Sequence, residues 1–441
     1  MQFRMQPIHA LMISSLAASS TAMSTKSGED TAPAKGLTDQ PAQDSTDLTV
    51  IKTYFKDGLR FETLDKNFTF RLGANIAFDT SFTHTNADYE NAFGREEDGA
   101  RFRLARVSAE GSVNQNVEYK WQYDFAGSVN NKLKDLYLNF PKFCVGSLRV
   151  GQFKEPQGLE QLTSDSTTTF MERAGPDRLL SARNIGAMLH DTCPSKRGNW
   201  AVGIFREDGS DTGEDTGDGE YAVTARLAGT PMMRDATHLL HLGVSGRHYA
   251  AHDSAFRVTY AGETTPSTNA PAMNHNVAAL SVNADAVNTA GAEAAWVNGP
   301  LSIQGEYVRT AVDQVSDTWI DLDGYYLFAS YFLTGESRGY NTATGAFSRV
   351  RVAHPFGKDG GMGAWEVGLR YSTLDLNSEA GHSSAPGTVN PQSANDGGRV
   401  DSITAGTTWY LNDYTRVMMN YIHIQPDDNQ DGTSEADVLA M

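Results

Sequence analysis

The stretch Tyr119-Lys-Trp-Gln-Tyr-Asp-Phe-Ala-Gly127 places an aromatic residue at every second position and polar residues between them. Neighbouring side chains on a β-strand point to opposite faces, so the aromatic residues share one face while Lys120, Gln122 and Asp124 share the other. A strand that is apolar on one face and charged on the other is typical of a β-barrel that crosses a membrane around a polar lumen.

Segments with the same alternation, each about 8 to 12 residues long, recur along most of the 441-residue chain. They predict about sixteen strands, near residues 68–81, 99–111, 116–126, 132–140, 145–153, 184–190, 199–206, 219–228, 237–248, 288–297, 301–311, 321–334, 362–373, 401–411, 414–424 and 434–441. Only 39% of the residues are hydrophobic, and no apolar stretch approaches the roughly 18 to 20 residues of a membrane helix, which excludes a helical membrane protein. We therefore predict an all-β fold, a transmembrane antiparallel β-barrel.

The two ends of the chain carry their own signals. Residues 1–22 predict a signal peptide, because Arg4 precedes an apolar stretch that ends in small residues. Residues 23–58 are predicted to be a flexible periplasmic lead-in and residues 59–441 the barrel domain. The last predicted strand lacks the terminal aromatic residue usual in outer-membrane barrels and looks truncated. Either the sequence is cut short, or the first strand closes on a shorter partner.

The connections should alternate between short periplasmic turns and long outer loops, since an even number of strands puts both termini in the periplasm. Two connections depart from this pattern. Residues 127–131 form a short outer loop, and residues 335–361 form a long inner connection that could fold back into the barrel.

The alternation also predicts which basic residues face the lumen. Four of them lie on three early strands, Arg71, Arg101, Arg103 and Lys120. Arg106 has the opposite parity and faces the lumen only if a bulge near Ala105 shifts the register. Basic groups in a lumen favour anions, because each can replace part of the hydration that an oxyanion loses on entry. Each could instead pair with a wall carboxylate and simply hold the interior together.

The connection from Lys154 to Arg183 is too long for a simple hairpin and is the predicted constriction loop. Its candidate anion-binding residues are Lys154, Arg173 and Arg183, and it also contains Arg178. The loop has five carboxylates, Glu155, Glu160, Asp165, Glu172 and Asp177. That balance is not basic, so a general or weakly selective pore stays open as an alternative.

The two cysteines, Cys144 and Cys193, fall side by side at the periplasmic rim of the predicted barrel. The periplasm is oxidising, so a disulfide between them is permitted. We predict this bond, which would stabilise the fold by about 4 kcal/mol in the chain-entropy model.

Other classes of function find little support. The net charge of -18 argues against a nucleic-acid partner, although it would favour cations over anions in a pore. The sequence has no Gly-x-Ser-x-Gly elbow and no His-Glu-x-x-His motif, and His238 and His241 have opposite parity. We therefore predict no enzyme, no metal site and no cofactor, and read the acidic segment 207–220 as a solvated loop. A structural or adhesive barrel with a blocked lumen is a further alternative, which a measurable conductance would exclude.

Several stretches resemble the family of phosphate-selective porins O and P. They include Phe68-Thr-Phe-Arg-Leu-Gly73, Tyr119 to Gly127, Leu133-Lys-Asp-Leu-Tyr-Leu138, Val150-Gly-Gln-Phe-Lys-Glu-Pro156, Phe170-Met-Glu-Arg173, Ala182-Arg-Asn-Ile-Gly186, Gly299-Pro-Leu-Ser-Ile-Gln-Gly-Glu-Tyr307, Leu333-Thr-Gly-Glu-Ser-Arg338 and Gly363-Ala-Trp-Glu-Val-Gly-Leu-Arg-Tyr371. The resemblance implies a homotrimeric sixteen-stranded porin in the outer-membrane lipid of a bacterium, with an inward-folded third loop. It also implies a lumen lined with Arg and Lys that conducts small anions such as phosphate or polyphosphate.

Overall fold

The computed structural model describes residues 50–126, 132–206, 220–263, 276–316, 318–377, 397–427 and 434–441. The predicted signal peptide, the lead-in up to residue 49, the short outer loop 127–131 and nearly all of the acidic segment 207–220 lie outside these residues. None of the helices within the described ranges is both long and apolar enough to cross a membrane.

The described residues form twenty strands and three short helices. The strands are β1 (Ile51–Phe55), β2 (Leu59–Thr63), β3 (Phe68–Thr85), β4 (Gly99–Val113), β5 (Val117–Asp124), β6 (Leu133–Phe143), β7 (Gly146–Lys154), β8 (Arg183–Thr192), β9 (Gly198–Arg206), β10 (Tyr221–Asp235), β11 (His238–Tyr260), β12 (Ala278–Asn298), β13 (Leu301–Gln314), β14 (Trp319–Phe332), β15 (Gly339–Asn341), β16 (Ala346–Ser348), β17 (Ala364–Asp375), β18 (Arg399–Asn412), β19 (Thr415–Pro426) and β20 (Ala436–Ala440). The helices are α1 (Ala87–Phe93), α2 (Leu159–Leu162) and a 3-10 helix (Gly175–Leu179).

Sixteen of these strands, β3 to β14 and β17 to β20, form a closed antiparallel barrel. Each strand pairs with the next along the chain, and β20 pairs with β3 to close the sheet. Each of the predicted segments overlaps one of these strands. The predicted sixteen-stranded transmembrane barrel is therefore confirmed.

The outer surface of the wall follows the predicted alternation, as β14 illustrates. Tyr325 and Leu327 on its outer face are exposed, whereas the alternate residues Tyr326 and Phe328 are buried inside the barrel. The inner face differs from the expected polar lumen, because Leu322 and Phe328 on it are apolar and at most 2% exposed. These inward apolar side chains are stable because loops that enter the barrel cover them and exclude water.

The barrel closes through a short strand. β20 has five residues and pairs on one edge with residues 420–424 of β19 and on the other with residues 81–85 of β3. The first strand of the barrel therefore closes on a shorter partner.

An N-terminal hairpin, β1 and β2, extends the wall at the rim of the short turns. β2 pairs with residues 69–72 of β3, below the part that β20 covers. Phe55 packs edge-on against Tyr414, with ring centroids 5.7 Å apart, and Asp57 forms an ion pair with Arg349. β1 begins at Ile51 and therefore lies inside the predicted lead-in of residues 23–58.

Two long segments enter the barrel. Residues 155–182, the predicted constriction loop, contain α2 and the 3-10 helix, which packs against β11, β13, β14 and β17. The inner connection, residues 333–363, contains the small β15–β16 hairpin. Arg226 of the wall donates hydrogen bonds to the carbonyl oxygens of Thr344 and Gly345 in this connection. The connection therefore folds back into the lumen, as the sequence allowed.

The outer face of β14 yields a test of the membrane placement. Replacing Leu327, 58% exposed in the middle of the strand, with Lys should destabilise the folded barrel by about 2–4 kcal/mol, because a charge near the bilayer midplane loses its hydration. The matched change Val315→Lys, beyond the end of β13, should cost about 1 kcal/mol or less. Equilibrium unfolding by urea in lipid vesicles would measure both, and equal costs would contradict the assigned orientation.

Candidate functional site

The inner face of β4 presents three arginines to the lumen. The pairing of β4 with β3 shifts register between Phe102 and Leu104, so no residue of β3 lies directly opposite the Cα of Arg103. This bulge reverses the parity beyond it and turns Arg106 inward, by the mechanism that the sequence required. Arg101 and Arg103 both reach Asp79, at 3.8 Å and 3.1 Å.

The constriction loop meets these arginines with its own carboxylates. Glu172 forms ion pairs with Arg101 and Arg103. Arg106 lies 2.6 Å from Asp165 of the loop and 2.6 Å from Asp124 of the wall. The loop is therefore held against β4 by charge-assisted hydrogen bonds, which are stronger than hydrogen bonds between neutral groups.

A second group of ion pairs connects β3, β4, β5, β6 and β8. Arg71 pairs with Glu110 directly across from it on β4, at 2.5 Å. Lys120 and Arg183 both contact Asp135, at 2.6 Å and 2.7 Å. One carboxylate thus serves two cations at this point of the wall.

The remaining predicted cations fold the constriction loop itself. Lys154 donates to the carbonyl oxygen of Gln161 and is 3.5 Å from that of Thr163. Arg173 pairs with Asp165 at 2.6 Å and donates to the carbonyl oxygen of Thr163. These cations satisfy backbone acceptors that the loop would otherwise leave without hydrogen bonds inside the barrel.

Asp165 is the charge centre of the loop. Burial alone would raise the pKa of Asp165, but Arg173 and Arg106 outweigh burial and hold this pKa well below its ordinary value. Burial likewise raises and Arg103 lowers the pKa of Glu172, with a net decrease. Both carboxylates are therefore ionised at neutral pH.

The far wall of the barrel anchors the loop. The carboxylate of Glu306 on β13 accepts hydrogen bonds from the backbone N–H groups of Leu159 and Glu160, both at 2.7 Å. Arg416 on β19 donates to the carbonyl oxygen of Thr168 at 2.6 Å. The loop therefore spans the lumen between two opposite parts of the wall.

The two sides of the lumen differ in their contact with water. The side chains of Arg71, Arg101 and Lys120 are 25–30% exposed, whereas that of Arg370 on β17 is fully buried. A cavity of about 360 Å³ lies between the N-terminal hairpin and the wall of β3 to β6, and Arg71 and Lys120 line it. The charged side chains along β3 to β6 are therefore more exposed than Arg370 on β17.

All eight predicted anion-binding residues thus lie on the inner wall or in the constriction loop, and all except Lys154 have carboxylate partners among the described residues. The prediction did not include Arg149, which packs over the ring of Tyr137 at 4.4 Å and whose Nε has no hydrogen-bond partner in the described residues. Arg149 lies opposite the inward residue Asn139 in the strand pairing, and this inward position was the signal that could have identified Arg149 as a lumen residue.

The cysteines do not form the predicted disulfide. Both are free thiols in the structure. Cys144 occupies the tight turn between β6 and β7. Cys193 packs against Gly198 in the β8–β9 hairpin, and a Cβ added to Gly198 would lie 3.2 Å from the Sγ of Cys193. Placing two cysteines in adjacent turns is therefore not sufficient for a disulfide, since the two side chains must also face each other.

The histidines of β11 do not converge. His241 is buried and bonds to Glu293 and Tyr340, whereas His248 on the opposite face is exposed and bonds to Asn288. In the part of the chain that the structure describes, no three His, Cys, Asp or Glu residues are placed to hold a metal ion.

Comparison with known proteins places this geometry in context. Residues 70–441 match the protein family described as phosphate-selective porin O and P. The chain is 28% identical over 422 residues to Porin O of Pseudomonas aeruginosa, which covers 89% of this chain and 91% of that protein. It is 30% identical over 342 residues to an uncharacterized protein of Caulobacter vibrioides, which covers 73% of this chain and 62% of that protein.

Among solved structures, the outer membrane channel DcaP of Acinetobacter baumannii matches with a TM-score of 0.51 at 13% identity. The match covers 86% of this chain and 98% of that chain. At this identity the likeness shows a shared fold.

The low pKa of Asp165 predicts how the loop responds to acid. Because this pKa lies below the unfolded value of about 3.9, the ionised carboxylate stabilises the fold at pH above that value and loses its effect as pH falls through the lower folded pKa. Hydrogen exchange in residues 155–182, corrected for intrinsic rates, should therefore rise as pH falls below about 4 and Asp165 takes up its proton.

The variant Asp165→Asn should raise exchange in the loop at every pH, with a loss of about 3 kcal/mol of local stability, because Arg106 and Arg173 lose a shared partner. Asp321→Asn, in an exposed ion pair on the outer face of β14, is the matched control and should leave the loop unchanged. Wild-type protection of the loop in folded Asp165→Asn at neutral pH would contradict the assigned role of Asp165.

Proposed function

The chain belongs to the phosphate-selective porin O and P family and is an outer-membrane porin channel rather than an enzyme, and from this premise we propose that it passes small anions, phosphate or polyphosphate among them, by passive diffusion. The path runs along the inner wall of β3 to β6 and past the constriction loop. The anions contact Arg and Lys side chains of this wall.

The sharing of carboxylates between cations carries this proposal. Asp135 is the common partner of Lys120 and Arg183, and Asp165 is the common partner of Arg106 and Arg173. Asp135 brings one negative charge against two positive charges and so leaves an excess of positive charge, whereas Arg106 and Arg173 each have a second carboxylate, Asp124 and Asp177. An anion beside Lys120 and Arg183 gains Coulomb energy and donors that replace part of its water.

Two further arginines add to that excess. Arg149 contacts aromatic rings and makes no ion pair among the described residues. Arg178, in the 3-10 helix of the constriction loop, is exposed and has no hydrogen bond or ion pair with any described residue. A guanidinium group stays charged and offers paired donors to an oxyanion, so both groups are available to a passing anion.

A weakly selective porin is the second candidate, and the ion pairs favour it. Arg71 with Glu110, and Arg101 and Arg103 with Asp79 and Glu172, present near-neutral pairs to the lumen. Paired charges attract an ion less than free ones, because the two fields partly cancel. Strong phosphate selectivity therefore depends on the shared carboxylates and on the unpaired arginines.

The pair Lys120 and Asp135 provides a test with opposite signs. In planar bilayers with a KCl gradient, Lys120→Gln should lower the anion-to-cation permeability ratio about fourfold, and Asp135→Asn should raise it about fourfold, since one charge roughly 10 Å away shifts an anion and a cation by about 0.4 kcal/mol each, in opposite directions, in water. Added phosphate should reduce the chloride current of the wild-type channel.

The control for this test is Arg309→Gln, which removes an exposed charge on the outer face of β13 and should leave the ratio unchanged. A wild-type preference for cations, or a shift of the same sign in both variants, would reject the anion pathway. Absence of conductance from demonstrably folded protein would favour the structural barrel with a blocked lumen.

We also propose that the channel is a homotrimer, the assembly that the family resemblance implies. Detergent-extracted protein should migrate as a trimer on electrophoresis without heating and as a monomer after boiling, because heat unfolds the barrel. Light scattering that gave the mass of a single chain before heating would contradict this assembly.

A further inference from the structure

The two longest strands of the barrel extend well beyond the membrane. β11 has 23 residues and β12 has 21, whereas about 9 to 11 residues suffice for a tilted strand to cross a bilayer. Their pairing shifts register between Ala250 and Ser254, and His252 within the shift has a positive φ of 48°. A bulge bends a strand, so the outer part of the hairpin leaves the line of the wall.

This outer part, residues 254–263 and 276–284, is here called the mouth hairpin. It lies at the end of the longest strands, yet Val258, Tyr260 and Leu280 are at most 3% exposed. They belong to one apolar cluster with Leu322 and Leu374, which face the lumen from β14 and β17. The mouth hairpin is therefore folded into the outer mouth of the barrel.

Backbone contacts show how far the mouth hairpin reaches. Ala279 forms an isolated antiparallel bridge with Gly397, just before β18, with N–H to carbonyl distances of 3.0 Å and 2.8 Å. A Cβ on Gly262 would lie 2.7 Å from the side chain of Ile424 on β19, so the hairpin backbone is packed directly on that strand. The hairpin thus crosses the outer ends of β13, β14 and β17.

One ion pair ties the mouth hairpin to the wall. Glu263 accepts a hydrogen bond from Arg370 at 2.5 Å and another from the hydroxyl of Thr404, and the side chains of Glu263 and Arg370 are both fully buried. Arg370 also pairs with Glu160 of the constriction loop at 3.3 Å and lies over the ring of Phe170 at 4.5 Å. The mouth hairpin and the constriction loop therefore share one wall residue.

We propose that Glu263 and Arg370 are positioning residues for transport, which hold the mouth hairpin across the outer entrance so that this hairpin, together with the constriction loop, sets the width of the conducting path. The proposal rests on the chain being a channel and not on its preference for anions. The mouth hairpin acts as a second constriction in series with the first.

The first test is Glu263→Gln, which keeps the shape of the side chain and removes its charge. Without the charged pair the mouth hairpin should leave the entrance for part of the time, and the single-channel conductance in KCl should rise about twofold. The control Glu435→Gln removes an exposed carboxylate from the segment before β20 and should keep the wild-type conductance. Heat-modifiable electrophoretic mobility would confirm that each variant is folded.

The second test restores the mouth hairpin without restoring the charge. Glu263→Cys with Thr404→Cys, in a chain with Cys144→Ser and Cys193→Ser, would be joined by a short bis-methanethiosulfonate reagent that dithiothreitol removes. Conductance should match the wild type while the bridge is present and rise about twofold after its removal. Glu263→Cys alone, treated identically, should stay at the raised value.

Two results would overturn the proposal. One is a wild-type conductance in folded Glu263→Gln. The other is a raised conductance that persists while the bridge is present, which would assign the effect to the constriction loop through Arg370 and Glu160. The anion-to-cation permeability ratio, measured in the same bilayers, tests the proposed anion pathway separately.

Discussion

Every backbone N–H and C=O group inside a bilayer needs a protein partner, because hydrocarbon offers none, and this constraint closes the sheet. β20 satisfies it for the outer part of β3 even though it has five residues. The N-terminal hairpin pairs with a different part of the same strand. The rest of the structure depends on this closure, because a closed sheet has one face toward lipid and one toward an enclosed space.

The enclosed space is filled unevenly. Along β3 to β6 it keeps hydrated charges such as Arg101 and Lys120, whereas along β14, β17 and β18 it is packed with side chains that exclude water, among them Arg370 and Leu374. The constriction loop divides the two parts, because Glu306 of β13 holds it on one side and the arginines of β4 hold it on the other. An off-centre channel follows from this division.

Charge inside the barrel serves folding and transport with the same residues. A buried guanidinium group without a partner would be costly, so Arg106 and Arg103 have carboxylates that also fix the loop. In the proposed anion channel, selectivity depends on carboxylates such as Asp135 that serve two cations. On that proposal, a chain with a net charge of -18 can still present a locally positive path.

Alternation along the chain predicts the barrel, its sixteen strands and the inward direction of Arg71, Arg101, Arg103 and Lys120, because strand periodicity is a local property that chain geometry converts directly into two faces. Alternation also predicts that Arg106 faces inward only with a bulge. The ion-pair partners, the free state of Cys144 and Cys193, and the burial of Glu263 beside Arg370 depend on the tertiary structure. These features join residues far apart in the chain, and their geometry depends on how loops bend into the barrel, which alternation along a strand does not encode.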